Sequence, residues 1–365
     1  MKLNIAVIPG DGAGPEMVLP ALDVLKIISR RYGHSLKLTE VTACGRGIEE
    51  LGSPLPEEAQ KVCLASDAVL LGNVGLKKYQ DNPFHLRPEY GLLKLRRCLK
   101  VTTNIRPVRL YAPLAALSPL KKEVAERGLD LVFVRDIAGG VLCSEQVRQV
   151  GEHGPEAYEY EYYNVDIVWD TAKIAFEMAG ARKKKLLSLD KANVLESSRL
   201  WRKTVTQMGE HYPGIQLSHG YIDSAALKLV THPEEFDVVV TSNLFGDIIS
   251  DEGTGLTGTP GLYASAELSV NGPGLYTPNQ LHHPDETIIG KQMVCPVGMI
   301  AAVALMLRCS FGLEEEAAAV EKGIEQVLED GYVTANLMCG NRVEKKRIVE
   351  TAVMGGMIAR KIEEG

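Results

Sequence analysis

The sequence has no Cys-x-x-Cys pair, no apolar run long enough to cross a bilayer, no excess of positive charge, and no repeated or low-complexity segment. Each absence removes a class of protein. Its seven cysteines, at positions 44, 63, 98, 143, 295, 309 and 339, are scattered and odd in number. That pattern indicates neither a disulfide framework nor a zinc site, so we expect small buried hydrophobes in a reducing compartment. Apolar runs such as Ala68 to Leu71 fall far short of the ~20 residues of a membrane helix. Met1 leads directly into a strand pattern without the apolar region of a signal peptide. A cytoplasmic protein with no membrane partner is expected. The formal net charge of -7 argues against a sequence-independent grip on nucleic acid, which depends on neutralising many phosphates.

What is present is the balance of an ordinary globular chain. With 365 residues, 45% hydrophobic and 24% charged, there is material for two domains or one large α/β unit. Lys2 to Pro9 reads as a buried strand and Glu16 onward as an amphipathic helix, joined by a glycine turn from Gly10 to Gly14. Further strands are expected at Ala68 to Leu71, Leu131 to Arg135, Lys185 to Leu189 and Val238 to Thr241, most followed by helical periodicity. Met299 to Met306 and Leu313 to Leu328 read as helices. The fold class is therefore α/β, with helices on a parallel or mixed sheet. No linker separates two bodies, so a second domain would lie close against the first. Glu152 to Tyr163, rich in Tyr and Glu, reads as a projecting strand pair or as an irregular loop.

Several groups can carry chemistry. The glycine turn lacks the third glycine of a dinucleotide fingerprint, so a ligand-free βα turn explains it equally well. Asn243-Leu-Phe-Gly-Asp247-Ile-Ile-Ser-Asp251 follows an apolar strand. If helical, it sets Asp247 and Asp251 on one face, where two carboxylates suit Mg2+ or Mn2+. The alternative is a solvated acidic face. Arg96, Arg106 and Arg135 lie in segments that lead into or end strands, and three guanidinium groups can grip two carboxylates. Singly, each reads more readily as a surface residue. Lys191 follows the strand at Lys185 to Leu189, where α/β proteins place ligand groups. It is a candidate general base or a solvated loop lysine.

Taken in order, Ile5-Ala-Val-Ile-Pro-Gly-Asp-Gly-Ala-Gly-Pro-Glu16, Arg87-Pro-Glu-Tyr-Gly-Leu-Leu-Lys-Leu-Arg96, Asn104-Ile-Arg-Pro107, Ser188-Leu-Asp-Lys-Ala-Asn-Val-Leu195 and Asp237-Val-Val-Val-Thr-Ser-Asn-Leu-Phe-Gly-Asp-Ile-Ile-Ser-Asp-Glu252 resemble the isocitrate and isopropylmalate dehydrogenase family. The resemblance runs over nearly the whole chain. Glu89, Leu92 and Leu93, with Ser118-Pro-Leu-Lys121 and Gly139-Gly140, resemble the isopropylmalate branch, because two leucines can bury an alkyl group but cannot pair a third carboxylate.

The resemblance implies a two-domain fold of mixed sheets flanked by helices, with the active site in the interdomain cleft. Residues 1–104 and 259–365 would form the cofactor-side domain, and 105–258 the second domain, with a dimerisation arm near 139–163. It further implies a homodimer with shared active sites. Arg96, Arg106 and Arg135 would hold the malate carboxylates, with Glu89, Leu92 and Leu93 around the substituent. Asp223, Asp247 and Asp251 would bind the metal, and Lys191 and Asp223 would act catalytically from the partner subunit. Gly75, Asn243 and Asp285 would meet NAD. The implied reaction is NAD- and metal-dependent oxidative decarboxylation of a 3-substituted malate, 3-isopropylmalate to 2-oxoisocaproate, a step of leucine biosynthesis. Lys191 would help remove the hydroxyl proton, and the metal would stabilise the enolate left by CO2 loss.

Two elements depart from the family pattern. Leu142 stands where a tyrosine normally assists protonation of the enolate. The adenosine segment, Glu-Pro-x-His-Gly-Ser-Ala-Pro-Asp in the family, is Thr277-Pro-Asn-Gln-Leu-His-His-Pro-Asp285 here, so Thr277, Gln280 and Leu281 replace the acid, the histidine and the glycine. About two extra residues precede Gly290, and Cys295 replaces the usual Asn before Pro296. These departures keep two other functions open: a dehydrogenase of another malate-type 2-hydroxy acid with redesigned cofactor contacts, and a non-catalytic regulatory paralogue.

Overall fold

A computed structural model of the chain describes residues 1–279, 286–338 and 347–365. In chain order its first twelve strands are β1 (Lys2–Ile8), β2 (Ser35–Glu40), β3 (Ala68–Leu71), β4 (Thr103–Arg109), β5 (Asp130–Asp136), β6 (Val147–Gly151), β7 (Gly154–Tyr158), β8 (Lys185–Asp190), β9 (Gln216–Tyr221), β10 (Val238–Thr241), β11 (Ala264–Leu268) and β12 (Gly274–Pro278). The chain divides into two compact units: Met1–Val101, Tyr111–Leu117 and Thr259–Gly365 form the first, Thr102–Leu110 and Ser118–Gly258 the second.

In the first unit the strands run in the order β2-β1-β3-β12-β11. All neighbours are parallel except β11 and β12. The run Ala68 to Leu71 is unbroken by polar residues because β3 is buried along its whole length, between two parallel neighbours. The helix Val297–Phe311 is apolar on every side and is correspondingly enclosed, from Val297 through Leu307 with only Ala301 less than fully buried. Helix Gly14–Arg31 buries Met17, Val18, Ala21, Val24, Leu25 and Ile28, the spacing of one helical stripe.

In the second unit the order is β4-β5-β10-β8-β9. Strand β4 is antiparallel to β5, and the rest are parallel. The core is built on Phe133, Phe176 and Trp201, each fully buried. The short strands β6 and β7 pair antiparallel with Gly151 opposite Gly154. The expected strand pair is thus present but lies earlier than the Tyr-rich segment, because Gly151-Glu-His-Gly154 makes the turn and 159–163 forms no strand.

The cysteines depart in part from expectation. Cys44, Cys63 and Cys295 are buried, but Cys98 and Cys309 are only half-buried and Cys143 is exposed. Cys143 sits in the short turn Val141–Cys143, whose residues lack the apolar periodicity that buries a side chain. Cys339 lies outside the described residues. Among the described residues, no helix is long and apolar enough to cross a membrane.

Candidate functional site

In the second unit two arginines meet two aspartates. Asn104 lies opposite Arg135, and Arg106 opposite Phe133, in the β4–β5 ladder, so both arginines project from one face of the sheet. The segment after β10 is a helix, Asn243–Gly255, and it carries Asp247 and Asp251 one turn apart, as the spacing requires. Arg135 Nη1 donates to Asp247 Oδ1, and Arg106 Nη1 donates to Asp251 Oδ1 at 2.6 Å and to Ser250 Oγ at 2.9 Å. Gly246 permits this approach: a Cβ there would stand 2.6 Å from Arg135 Cγ. The arginine side chains are 11–17% exposed, whereas Asp247 is 45% and Asp251 72% exposed. The carboxylates therefore still face solvent, and as hard oxygen donors one turn apart they fit a divalent cation such as Mg2+.

Lys191 follows β8 directly. Its Nζ pairs with Asp223 Oδ1 at 2.7 Å, and Asp223 sits in the first turn of helix Ile222–Thr231. The hydrogen bond from Lys191 holds the Asp223 carboxyl below the ordinary range. The loop is braced by Asp190, a residue that sequence reasoning missed. It is buried, accepts from the Ala192 N–H at 2.8 Å, and takes both Nε and Nη2 of Arg202 at 2.8 and 2.9 Å. Within the single chain, Asp223 is held by Lys191. No group of three His, Cys, Asp or Glu suited to a metal converges among the described residues.

Behind the arginines lies a buried polar network that the sequence did not reveal. Asn243 Oδ1 accepts from Arg135 Nε and Nη2 at 3.1 and 2.8 Å, while its Nδ2 donates to the Gly139 carbonyl at 2.8 Å. Its backbone N–H donates to Tyr163 Oη at 2.8 Å, and that hydroxyl donates to Asp136 Oδ2 at 3.1 Å. Burial pushes the Asp136 carboxyl up to about 6, against the pull of the Gly139 and Ala138 amides and of Tyr163. Burial and the Asp136 carboxylate together hold the Tyr163 hydroxyl far above the usual phenol range. Tyr163 is thereby committed to structure. Leu142 is 49% exposed, and Tyr160 and Tyr162 are exposed at 57% and 60%.

The first unit carries the remaining sites. Helix Pro88–Leu99 bears Glu89, a buried Leu92, an exposed Leu93 and Arg96. Arg96 is paired with Glu267 of β11, a buried acid. Asp11 in the glycine turn is buried and accepts from the Gly45 and Gly75 N–H groups at 2.8 and 2.9 Å. Burial raises its carboxyl above the ordinary range. Gly75 has a φ of 92°, which a side chain would strain, so this amide can point at Asp11 only with glycine in place. The turn is thus a brace for the loop that carries Gly75.

The segment from Thr277 to Pro296 is described in part. Thr277 is buried on β12, and the Cys295 thiol is buried and pushed up to about 11. Glu16 accepts the N–H groups of Gly290 and Gln292, and Glu286 accepts that of Lys77 at 2.6 Å, so 286–292 is tied to helix Gly14–Arg31 and to the segment at Lys77. Asp285, Gln280 and Leu281 lie outside the described residues.

Comparison with known proteins bears on this arrangement. The model of the isocitrate/isopropylmalate dehydrogenase family matches residues 4–358. The chain is 46% identical over 345 residues to 3-isopropylmalate dehydrogenase of Bacillus licheniformis, covering 93% of this chain and 92% of that protein. It is 42% identical over 363 residues to the 3-isopropylmalate dehydrogenase of Nitratidesulfovibrio vulgaris, covering 99% and 100%. Among solved structures, an isocitrate dehydrogenase from Methylococcus capsulatus superposes with a TM-score of 0.80 at 27% identity, covering 99% of both chains. A β-decarboxylating dehydrogenase from Thermococcus kodakarensis gives a TM-score of 0.79 at 28% identity, covering 99% and 96%. Matched in this way from end to end, the chain belongs to the isocitrate/isopropylmalate dehydrogenase family.

Proposed function

We propose that the protein is an NAD-dependent and Mg2+- or Mn2+-dependent dehydrogenase that converts 3-isopropylmalate to 2-oxoisocaproate and CO2. The observation that carries this reading is the cluster of Arg106 and Arg135 against Asp247 and Asp251, in which cations for an acidic substrate adjoin hard donors for a metal. Bound NAD would accept the hydride from C2 of the substrate, and a bound divalent ion would stabilise negative charge on the C2 oxygen. Arg106 and Arg135 exchange their aspartate partners for the substrate carboxylates, and Arg96 of the first unit is a further proposed carboxylate grip. Leu93, exposed one position beyond buried Leu92, offers apolar surface to the isopropyl group.

Lys191 takes the hydroxyl proton on Nζ, and Asp223 at 2.7 Å steadies the resulting ammonium. The pairing of Lys191 with Asp223, away from Asp247 and Asp251, supports a homodimer in which this pair serves the partner's arginines and aspartates. CO2 loss leaves an enolate that needs a proton at the former β-carbon. Leu142 has none to give, so water or an exposed tyrosine such as Tyr160 or Tyr162 supplies it. Gly75, Asn243 and Asp285 remain the proposed contacts for NAD. Thr277 and Cys295 are both buried and add no exposed side chain for its adenosine half, which lowers the affinity.

The test is NADH formation with a panel of malate derivatives bearing isopropyl, methyl, carboxymethyl or no substituent at C3, with Mg2+ or Mn2+ present. The isopropyl compound should give the highest kcat/KM. Preference for the carboxymethyl or unsubstituted acid would overturn the substrate assignment.

A further inference from the structure

Arg96 and Glu267 stand 171 positions apart in sequence yet form a two-point ion pair. Arg96 Nε donates to Glu267 Oε2 at 2.8 Å, and Nη2 donates to Oε1. The acid is the enclosed partner: its side chain is 4% exposed, against 34% for Arg96. Burying a carboxylate is costly unless it is paired, and this guanidinium offsets that cost for Glu267. Arg96 also lies three and four positions beyond Leu93 and Leu92 on one helix, which sets its stem along their side of the helix.

We propose that Glu267 sets the affinity for substrate by moderating the grip of Arg96 on substrate carboxylates. This rests on the reading of Arg96 as a carboxylate grip. An anion approaching Arg96 meets a neutral pair instead of a full positive charge, and its oxygens come within a few ångströms of a resident carboxylate. Like charges at that distance repel appreciably even at an interior dielectric near 20. The pair therefore weakens binding of dianionic malates generally.

The experiment is calorimetric binding of 3-isopropylmalate, with Mg2+ present, to the full-length protein, Glu267→Gln, Arg96→Gln and the double variant, alongside turnover. Glutamine keeps the shape and one acceptor but removes the charge. Glu267→Gln should bind 3-isopropylmalate about tenfold more tightly, and the gain should vanish in the double variant. Unchanged or weaker binding by Glu267→Gln, or a gain that survives loss of Arg96, would overturn the proposal. If Glu267→Gln does not fold, Glu267→Met, which also removes the charge, reads the same quantity: tighter binding supports the proposal, and unchanged or weaker binding overturns it. Failure of this inference alone would show as ordinary turnover of 3-isopropylmalate with an unaltered dissociation constant in the variant. Failure of the proposed function would show as no binding and no turnover by any of the proteins, which removes the inference as well.

Discussion

Tyr163 donates its hydroxyl hydrogen to Asp136 at 3.1 Å while accepting the backbone N–H of Asn243 at 2.8 Å, so one buried phenol joins β5 to the helix that carries Asp247 and Asp251. Because Asn243 also accepts from Arg135, the position of the arginine is tied to an acid that titrates with a folded-state pKa of about 6.

That acid makes stability depend on pH in a definite direction. The folded-state pKa of Asp136 is raised from 3.8 to about 6, so folding favours the protonated form. Its contribution is complete below about pH 4 and is lost as pH rises through about 6. The stability difference between the unmodified protein and Asp136→Asn should therefore shrink by on the order of 3 kcal/mol from pH 4 to pH 7. Urea unfolding at both pH values measures it. A difference that is constant or grows with pH would contradict the assignment.

Asp247→Asn should weaken Mg2+ or Mn2+ binding, measured by calorimetry with 3-isopropylmalate present, by at least about tenfold, the value of one charge-assisted contact. The same change leaves Arg135 short of an anion, so circular dichroism must confirm that the fold is kept. Unaltered metal affinity in a folded variant would remove Asp247 from the metal site.

Much of this arrangement could be read along the chain, and the remainder could not. The unbroken run Val238 to Thr241 and the four-residue spacing of Asp247 and Asp251 are local patterns, and β10 and the following helix appear where those patterns lie. The pairing of Arg96 with Glu267, the bracing of Lys191 by Asp190 and Arg202, and the joining of Asp136 to Asn243 through Tyr163 are set by tertiary packing. Periodicity within a segment says nothing of partners outside it. Glu267 alone carried a usable signal: an acid in the otherwise small and apolar strand Ala264–Leu268 requires a partner if the strand is buried.

A shared active site has a direct test in mixed dimers. Lys191→Ala and Arg106→Ala should each be inactive. After subunit exchange, half of the dimers would be hybrids with one intact site of two, returning roughly a quarter of full activity. No recovery after exchange verified by mass spectrometry would place Lys191 and Arg106 in the same subunit's site.

Leu142 should separate oxidation from protonation. In a single turnover of the unmodified protein NADH should appear before the final ketoacid, because the hydride step keeps Lys191 and Asp223 while the enolate lacks a placed acid. Leu142→Tyr should raise the rate of ketoacid formation by roughly tenfold or more, in the range that general acids contribute, with little change in KM. Simultaneous appearance of NADH and ketoacid in a single turnover of the unmodified protein would contradict this role for position 142.

The most direct measurement is the identity of the product. 3-Isopropylmalate, NAD and Mg2+ are incubated with the protein, and 2-oxoisocaproate is followed by mass spectrometry with and without a chelator. The account predicts 2-oxoisocaproate and NADH with Mg2+ present and neither after chelation. Absence of 2-oxoisocaproate at saturating NAD and substrate, or its formation unaltered by the chelator, would contradict it.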